Sequence, residues 1–235
     1  MADYSIVLSD ELLKEFYEFK HNGSFNVNTV AKLLNLYKPP HITNVAQLLR
    51  CNIEDRPLMQ QLVTKNWKNV SLDELVNQTK FKLIISDENN CTFPKIDISS
   101  KSIESNYTST HFKTDNRDNV IKHIELLCKN ATNIFIYDKY FKNNWDRTKK
   151  LFQNIMPKKR LTFFYKEYHL DQAQISEAKI ICSDWIFRLD QSHPQHENLH
   201  DRYLIIDNKI EIILTSGFDN LFDTSTDLTY IIRDI

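Results

Sequence analysis

One short run carries the residue types from which chemistry could be built: His200-Asp-Arg202-Tyr-Leu-Ile-Ile-Asp207, of the form His-x-Arg-x4-Asp. Side chains two apart on a strand share a face, so His200 and Arg202 point the same way, with Tyr203 and Ile205 on the other side. An imidazole beside a fixed cation suits attack on a phosphoryl group: the histidine supplies a nucleophile or proton carrier, and the arginine neutralises non-bridging oxygens. The plainer alternative is a surface histidine followed by an ion-pairing arginine, since short motifs also match by accident. Beyond the run come an Asn208-Lys209 link, a second apolar run and the corner Thr215-Ser216-Gly217. The chain has 2 glycines, Gly23 and Gly217, so a positive φ is the expected reason for the second. So few glycines exclude the Gly-rich loops that cradle nucleotide phosphates.

The segment resembles the signature of the phospholipase D superfamily, His-x-Lys-x4-Asp on a strand followed, after a further strand, by Gly/Ser and Asn. His200, Arg202, Asp207, Ser216, Gly217 and Asn220 carry the likeness. Within the superfamily it is closest to the carboxy-terminal domain of MIT-domain proteins and its bacterial relatives, through His200-Asp201-Arg202, Gly217-Phe218-Asp219 with Phe222, and Ile134-Phe-Ile-Tyr-Asp138-Lys-Tyr140. The resemblance implies a metal-independent phosphodiesterase without organic cofactor, a nuclease of a bacterial defence or mobile-element system. His200 would be the nucleophile, Arg202 the phosphate clamp, and Asp207 and Asp138 orienting groups. Tyr140, Ser216 and Asn220 would line the phosphate site, and Gly217 and Asp219 would shape the turn. Superfamily enzymes bring two such motifs together, which implies a homodimer that pairs two copies of His200. Arg202 stands where the hydrolases carry lysine, and a rigid guanidinium cannot lend a proton. The alternative is therefore a non-catalytic module that binds phospholipid, nucleic acid or a protein partner.

Two other constellations compete. His111-Phe-Lys113-Thr-Asp-Asn-Arg-Asp118 fits His-x-Lys-x4-Asp letter for letter, but its intervening residues are polar where a buried strand needs apolar ones. His193, His196 and His200, with Asp201 or Glu197, offer metal-ligating types without a nearby cysteine; the reading preferred is no metal.

The elements that must position the site follow from periodicity. Residues 9–65 carry helical spacing with capping residues, 80–86 and 91–96 read as a hairpin, and 99–114 is polar without period. From 116 onward, helices (119–129, 144–156, 171–181) alternate with strands (133–138, 161–165, 184–190), which implies crossovers and a parallel sheet covered on both faces. Residues 201–207 and 209–215 read as an antiparallel hairpin, and 228–232 as a further strand that closes the chain. The expected architecture is α/β: an accessory, mainly helical region over 1–104, and over 105–235 a mixed, mostly parallel phospholipase D-like sheet flanked by helices.

A net charge of -1 over 235 residues excludes a wholly basic nucleic-acid binder. Basic residues still gather between Lys139 and Arg160, as a phosphate-contacting patch or a solvated helix face. The 4 cysteines lie far apart and read as reduced thiols. The start has no signal-peptide pattern, and no apolar run approaches the ~20 residues of a membrane span, so a cytoplasmic protein is expected.

Overall fold

A computed structural model describes residues 4–100, 103–104, 106–196 and 199–235. The chain divides into two compact units, Met1–Ser105 and Asn106–Ile235.

The first unit carries most of its regular secondary structure in helices, as the spacing predicts, but these helices surround a small sheet that the sequence did not announce. Strands β1 (Ile6–Leu8), β2 (His41–Ile42), β3 (Ile84–Ser86) and β4 (Lys95–Asp97) form a four-stranded sheet in the order β2-β1-β3-β4. Every pairing is parallel, so residues 80–97 are not a hairpin. Strands this short show no alternation, whereas the helices between them are long enough for their period to be read. These helices are α1 (Asp10–Lys20), α2 (Val27–Leu36), α3 (Val45–Arg50), α4 (Arg56–Thr64) and α5 (Leu72–Leu75). Ser9, Asn26, Asn44, Asp55 and Ser71 cap them, each side chain accepting from a backbone N–H of the first turn. Burial of Leu8, Leu12, Phe16, Leu33 and Leu48 makes the core.

The second unit contains β5 (Tyr107–His111), α6 (Asp118–Cys128), β6 (Asn133–Tyr137), α7 (Trp145–Asn154), β7 (Leu161–Tyr165), α8 (Gln172–Ile181), β8 (Trp185–Leu189), β9 (Arg202–Ile206), β10 (Ile210–Leu214) and β11 (Leu228–Asp234). Its sheet runs β5-β11-β10-β9-β6-β7-β8. It is mixed, as expected, but mostly antiparallel: among the described residues only β6–β7 and β7–β8 pair in parallel. Helical crossovers build those two pairs. The tight turn at Asn208-Lys209 joins β9 to β10, β6 and β9 pair though distant in sequence, and β5, in a stretch read as patternless, pairs as an edge strand with β11. An edge strand with little apolar burial leaves no periodic trace.

Helices α6, α7 and α8 pack in one core with a single face of this sheet. Val120, Ile124, Phe152 and Ala178 meet Ile134, Ile136, Phe163, Leu204, Ile212 and Leu214 there. Each fully buried side chain of this size contributes about 1.5–3 kcal/mol. The opposite face carries Phe135, Tyr137 and Ile205, with Phe164 and Tyr203 beside them. Among the described residues no helix of the second unit covers it, against the expectation of helices on both faces. Instead the segment between β8 and β9 lays His193 against Phe135 and His196 against Tyr137, at ring-centroid separations of 4.7 Å in both cases.

Candidate anion site at the sheet edge

Antiparallel register assembles the site. Tyr137 at the end of β6 pairs with Tyr203, so Asp138 stands beside Arg202 at the start of β9. Arg202 in turn pairs with Leu214 at the end of β10, which puts Ser216 next to the chain end that carries His200. Residues far apart in sequence therefore meet where β6 and β10 end and β9 begins.

Asp138 is the centre of this edge. Its side chain is 3% exposed, and its Oδ1 accepts the Tyr140 N–H at 2.8 Å and lies 3.5 Å from Arg202 Nε. Burial raises its pKa, opposed by the Tyr140 N–H, the Arg202 charge and the Phe218 N–H; Asp219 nearby adds to the rise. A buried carboxylate ringed by donors organises the corner and would repel a phosphate. His169 Nδ1 accepts the Asp138 N–H at 3.3 Å, which ties the turn after β7 to the same point.

Arg202 is 12% exposed. Its guanidinium carbon stands 5.2 Å from the centroid of the Tyr140 ring, and its Nη1 donates to the His200 carbonyl at 3.1 Å. The arginine thus fixes the His200 backbone, while the imidazole is 82% exposed with only Asp201, at 3.9 Å, near its Nδ1. Among the described residues, Arg202 Nε and Ser216 Oγ are buried without a hydrogen-bond partner. Arg202 Nε still faces the Asp138 carboxylate at 3.5 Å as an ion pair, so the donor with no partner at all is Ser216 Oγ, which forgoes about 1–3 kcal/mol that an acceptor would restore.

Gly217 does not have the positive φ expected of it; its φ is -58° and its ψ 157°. The glycine is required by close approach instead, since a Cβ there would lie 2.0 Å from Asp219 Oδ1. Asn144 donates to that carboxylate at 3.3 Å. Asn220 Oδ1 accepts from Thr226 at 2.9 Å, which leaves its amide N–H groups for the site. Behind this corner lies Arg117, which sequence reading passed over. It is 3% exposed and donates to the carbonyls of Asn220 and Thr226, so it clamps the loop from inside. An arginine next to a helix start gives no periodic signal of such a role.

Asp207 stands apart. It is five residues beyond Arg202, about 17 Å along the strand at ~3.3 Å per residue. There it turns the chain with a φ of 51° and accepts from the N–H and hydroxyl of Thr132 and from the Asn133 N–H. Asp207 anchors β9 to β6 at the end remote from the chemistry. Asp207→Ala is expected to cost about 1–3 kcal/mol by leaving those donors unpaired, with hydrolysis per folded molecule unchanged; denaturant titration and an activity assay check both.

His111 lies in β5, stacked near Tyr230 at 6.2 Å. Three strand spacings of ~4.8 Å, about 14 Å in all, separate β5 from β9. That exceeds what a single phosphate spans, so His111 and His200 of one chain do not meet on it. The alternative metal cluster also disperses: His196 turns to Glu211, His193 to Tyr137, and His200 to solvent. Glu197 and Asn198 lie outside the described residues, and among the described residues no three His, Cys, Asp or Glu side chains gather as a metal site. Much of the basic run is already paired: Lys142 with Asp171, Arg147 with Asp223, Lys149 with Asp146 and Glu177. Burial pushes the Cys51 thiol up to about 11 and the Cys128 thiol to about 12, which makes both inert near neutrality. Among the described residues no helix is long and apolar enough to cross a membrane.

A second polar network lies on the other face of the sheet. Asp190, with a side chain 1% exposed, receives the Tyr137 hydroxyl at 2.8 Å, Lys166 Nζ at 3.0 Å and the Ser192 hydroxyl at 2.5 Å. Burial raises its pKa, but Ser192, Lys166 and Tyr137 together outweigh that and hold it well below the usual carboxylate range. Glu211 and Asp207 are likewise lowered in spite of burial, the first by His196 and Arg233, the second by Thr132 and Asn133. Carboxylates depressed on folding add stability above their unfolded pKa values and lose it as pH falls through the folded ones. The thermal midpoint is expected to be flat near neutrality and to drop progressively below about pH 4; Asp190→Asn should shrink that acid-side slope in a calorimetric pH series.

No family model and no curated protein sequence matches the chain. Among solved structures, NucT from Helicobacter pylori is similar at 12% identity over 54% of this chain and 85% of that one, with a TM-score of 0.33. A phospholipase D family member, Nuc from Salmonella typhimurium, is similar at 16% identity over 54% and 82%, with a TM-score of 0.31. TrmBL2, an archaeal chromatin protein, covers 87% of this chain and 71% of its own at 13% identity, with a TM-score of 0.27. Likenesses at these TM-scores carry no weight for function, which rests on the residues of the edge.

Proposed function

We propose that the second unit is a metal-independent phosphodiesterase of phospholipase D-like type, acting on nucleic acid. The observation that carries the reading is the conjunction at one strand edge of an exposed imidazole, His200, with the buried Arg202 guanidinium, ion-paired to Asp138, and a buried hydroxyl lacking a hydrogen-bond partner, Ser216 Oγ. Arg202, Ser216 and the Asn220 amide hold the non-bridging oxygens. His200 Nε2 attacks phosphorus; the bond to the leaving oxygen breaks, and that oxygen takes a proton. Water then cleaves the phosphohistidine and frees the imidazole. The proton donor is a second imidazole, His200 of another copy, in a two-fold dimer. The finer setting, a cytoplasmic bacterial defence or mobile-element system with kinship to the carboxy-terminal domain of MIT-domain proteins, belongs to the same proposal.

One observation favours a second reading. The arginine in place of lysine is held by Asp138 and Tyr140, which suits a fixed anion clamp without turnover. Hydrolysis of bis(4-nitrophenyl) phosphate and of labelled oligonucleotides in excess EDTA separates the two. The enzyme reading expects turnover that survives chelation and rises with dimer concentration. Salt-sensitive oligonucleotide or phospholipid-vesicle binding without turnover would establish the clamp instead.

A further inference from the structure

Residues 191–196 form a strap over the sheet face that bears Phe135, Tyr137 and Tyr203, and His200 follows it in sequence at the edge. We propose that His196 is a positioning residue for His200, fixing this strap from the face opposite Arg202; the catalytic half of the proposal rests on the phosphodiesterase reading. His196 is 7% exposed in a short 3-10 turn, Pro194–His196. Its ring stacks on Tyr137 at 4.7 Å and meets the edge of Tyr203 at 4.8 Å, so the two strands flanking the site, β6 and β9, hold it between them. Its Nε2 lies 3.1 Å from Glu211 Oε1, and Arg233 holds the other Glu211 oxygen at 2.5 Å. An ionised carboxylate only accepts, so Nε2 carries the proton and donates it. This fixes the tautomer and the ring plane together.

The strap has a second fastening nearer β8. The Tyr137 and Ser192 hydroxyls both donate to Asp190, at 2.8 and 2.5 Å, and His193 Nδ1 stands 3.1 and 2.9 Å from those same two oxygens. The hydroxyl protons being spent on Asp190, His193 Nδ1 must be the donor of its pair. His196 lies four residues before His200, a tether of at most about 14 Å. On the other side, Arg202 grips the His200 carbonyl at 3.1 Å. His200 is thereby suspended between two anchors: its backbone is restrained, and its imidazole is left free to react.

The test uses the full chain with His196→Leu and His196→Gln, the glutamine retaining an N–H donor toward Glu211. Backbone hydrogen exchange across 190–201 is measured beside steady-state hydrolysis of bis(4-nitrophenyl) phosphate. His196→Leu is expected to speed exchange in the strap at least tenfold and to lower kcat about 10- to 100-fold with KM nearly unchanged, a split that general destabilisation does not produce. His196→Gln should restore both to within about threefold of the parent protein. Unchanged exchange at 199–201 in the leucine variant, or a fall in kcat that glutamine fails to relieve, overturns the positioning role. If the parent protein has no hydrolytic turnover while the strap still loosens in His196→Leu and recovers in His196→Gln, the phosphodiesterase reading falls and the anchoring of His200 stands. Should the leucine variant not fold, His196→Gln against Glu211→Ala provides the same comparison.

Discussion

His200→Ala is expected to lower phosphodiester turnover by about a thousandfold or more, with KM changed only a few-fold. The asymmetry follows from the geometry. On the proposed reading the phosphate oxygens are met by Arg202, Ser216 and Asn220, so binding would survive removal of the imidazole. Among the described residues no other histidine could replace it at this edge. His111 lies about three strand spacings away, roughly 14 Å, His193 and His196 serve the opposite face, and His169 is buried with its Nδ1 on the Asp138 N–H. At 82% exposure the His200 side chain supports little packing, and its loss should leave the melting temperature within about a degree of the parent. Arg202→Ala differs in kind: it weakens phosphate binding and also strands the buried Asp138 carboxylate, so both affinity and stability fall. Comparison of the two variants by steady-state kinetics and calorimetry separates nucleophile from clamp.

The second large effect lies away from the chemistry. Asp190→Ala is expected to cost about 3–5 kcal/mol, because Lys166, 11% exposed, loses the carboxylate that pairs with it while remaining buried. The Tyr137 and Ser192 hydroxyls lose their acceptor in the same step. For a unit of this size the change corresponds to a fall of about 10–20 °C in melting temperature. Asp190→Asn keeps an acceptor for the hydroxyls and should cost roughly half as much. A loss below about 1 kcal/mol on denaturant titration of Asp190→Ala would show that the network is solvated and does not fasten the sheet.

What could be read from the sequence tracks the range over which each feature repeats. The second unit's helices and its strands β6 to β11 lie where periodicity puts them, since each is long enough for alternation or a 3.6-residue period to show. The strands of the first unit, at two or three residues, are too short for that, and β5 is polar because it is an edge. Pairing direction was legible at the tight turn of Asn208-Lys209 and for the parallel pairs β6–β7 and β7–β8, whose connecting helices imply crossovers; the antiparallel join of β6 to β9 depends on chain ends that meet in space, and no local pattern records it. The same limit governs the site. The spacing of His200 and Arg202 and the place of Asp138 at a strand end single out residues that the register brings to one edge. Asp207, within the same motif, turned out to serve the far end of the strand. Gly217 was legible as special but for the wrong reason, the close approach of Asp219 in place of a left-handed backbone. Arg117, His169, His196 and Glu211 stayed silent, because a buried polar residue is understood only once its partner is placed.

The most direct measurement is a search for the covalent intermediate. Full-length protein is mixed with a slowly turned-over phosphodiester in EDTA, quenched at alkaline pH, where a phosphohistidine persists, and digested for mass spectrometry. Substrate-derived phosphate is expected on the peptide bearing His200, absent from His200→Ala and chased away by water on longer incubation. Turnover without any adduct at His200, or an adduct that persists in His200→Ala, would contradict a nucleophilic role for His200.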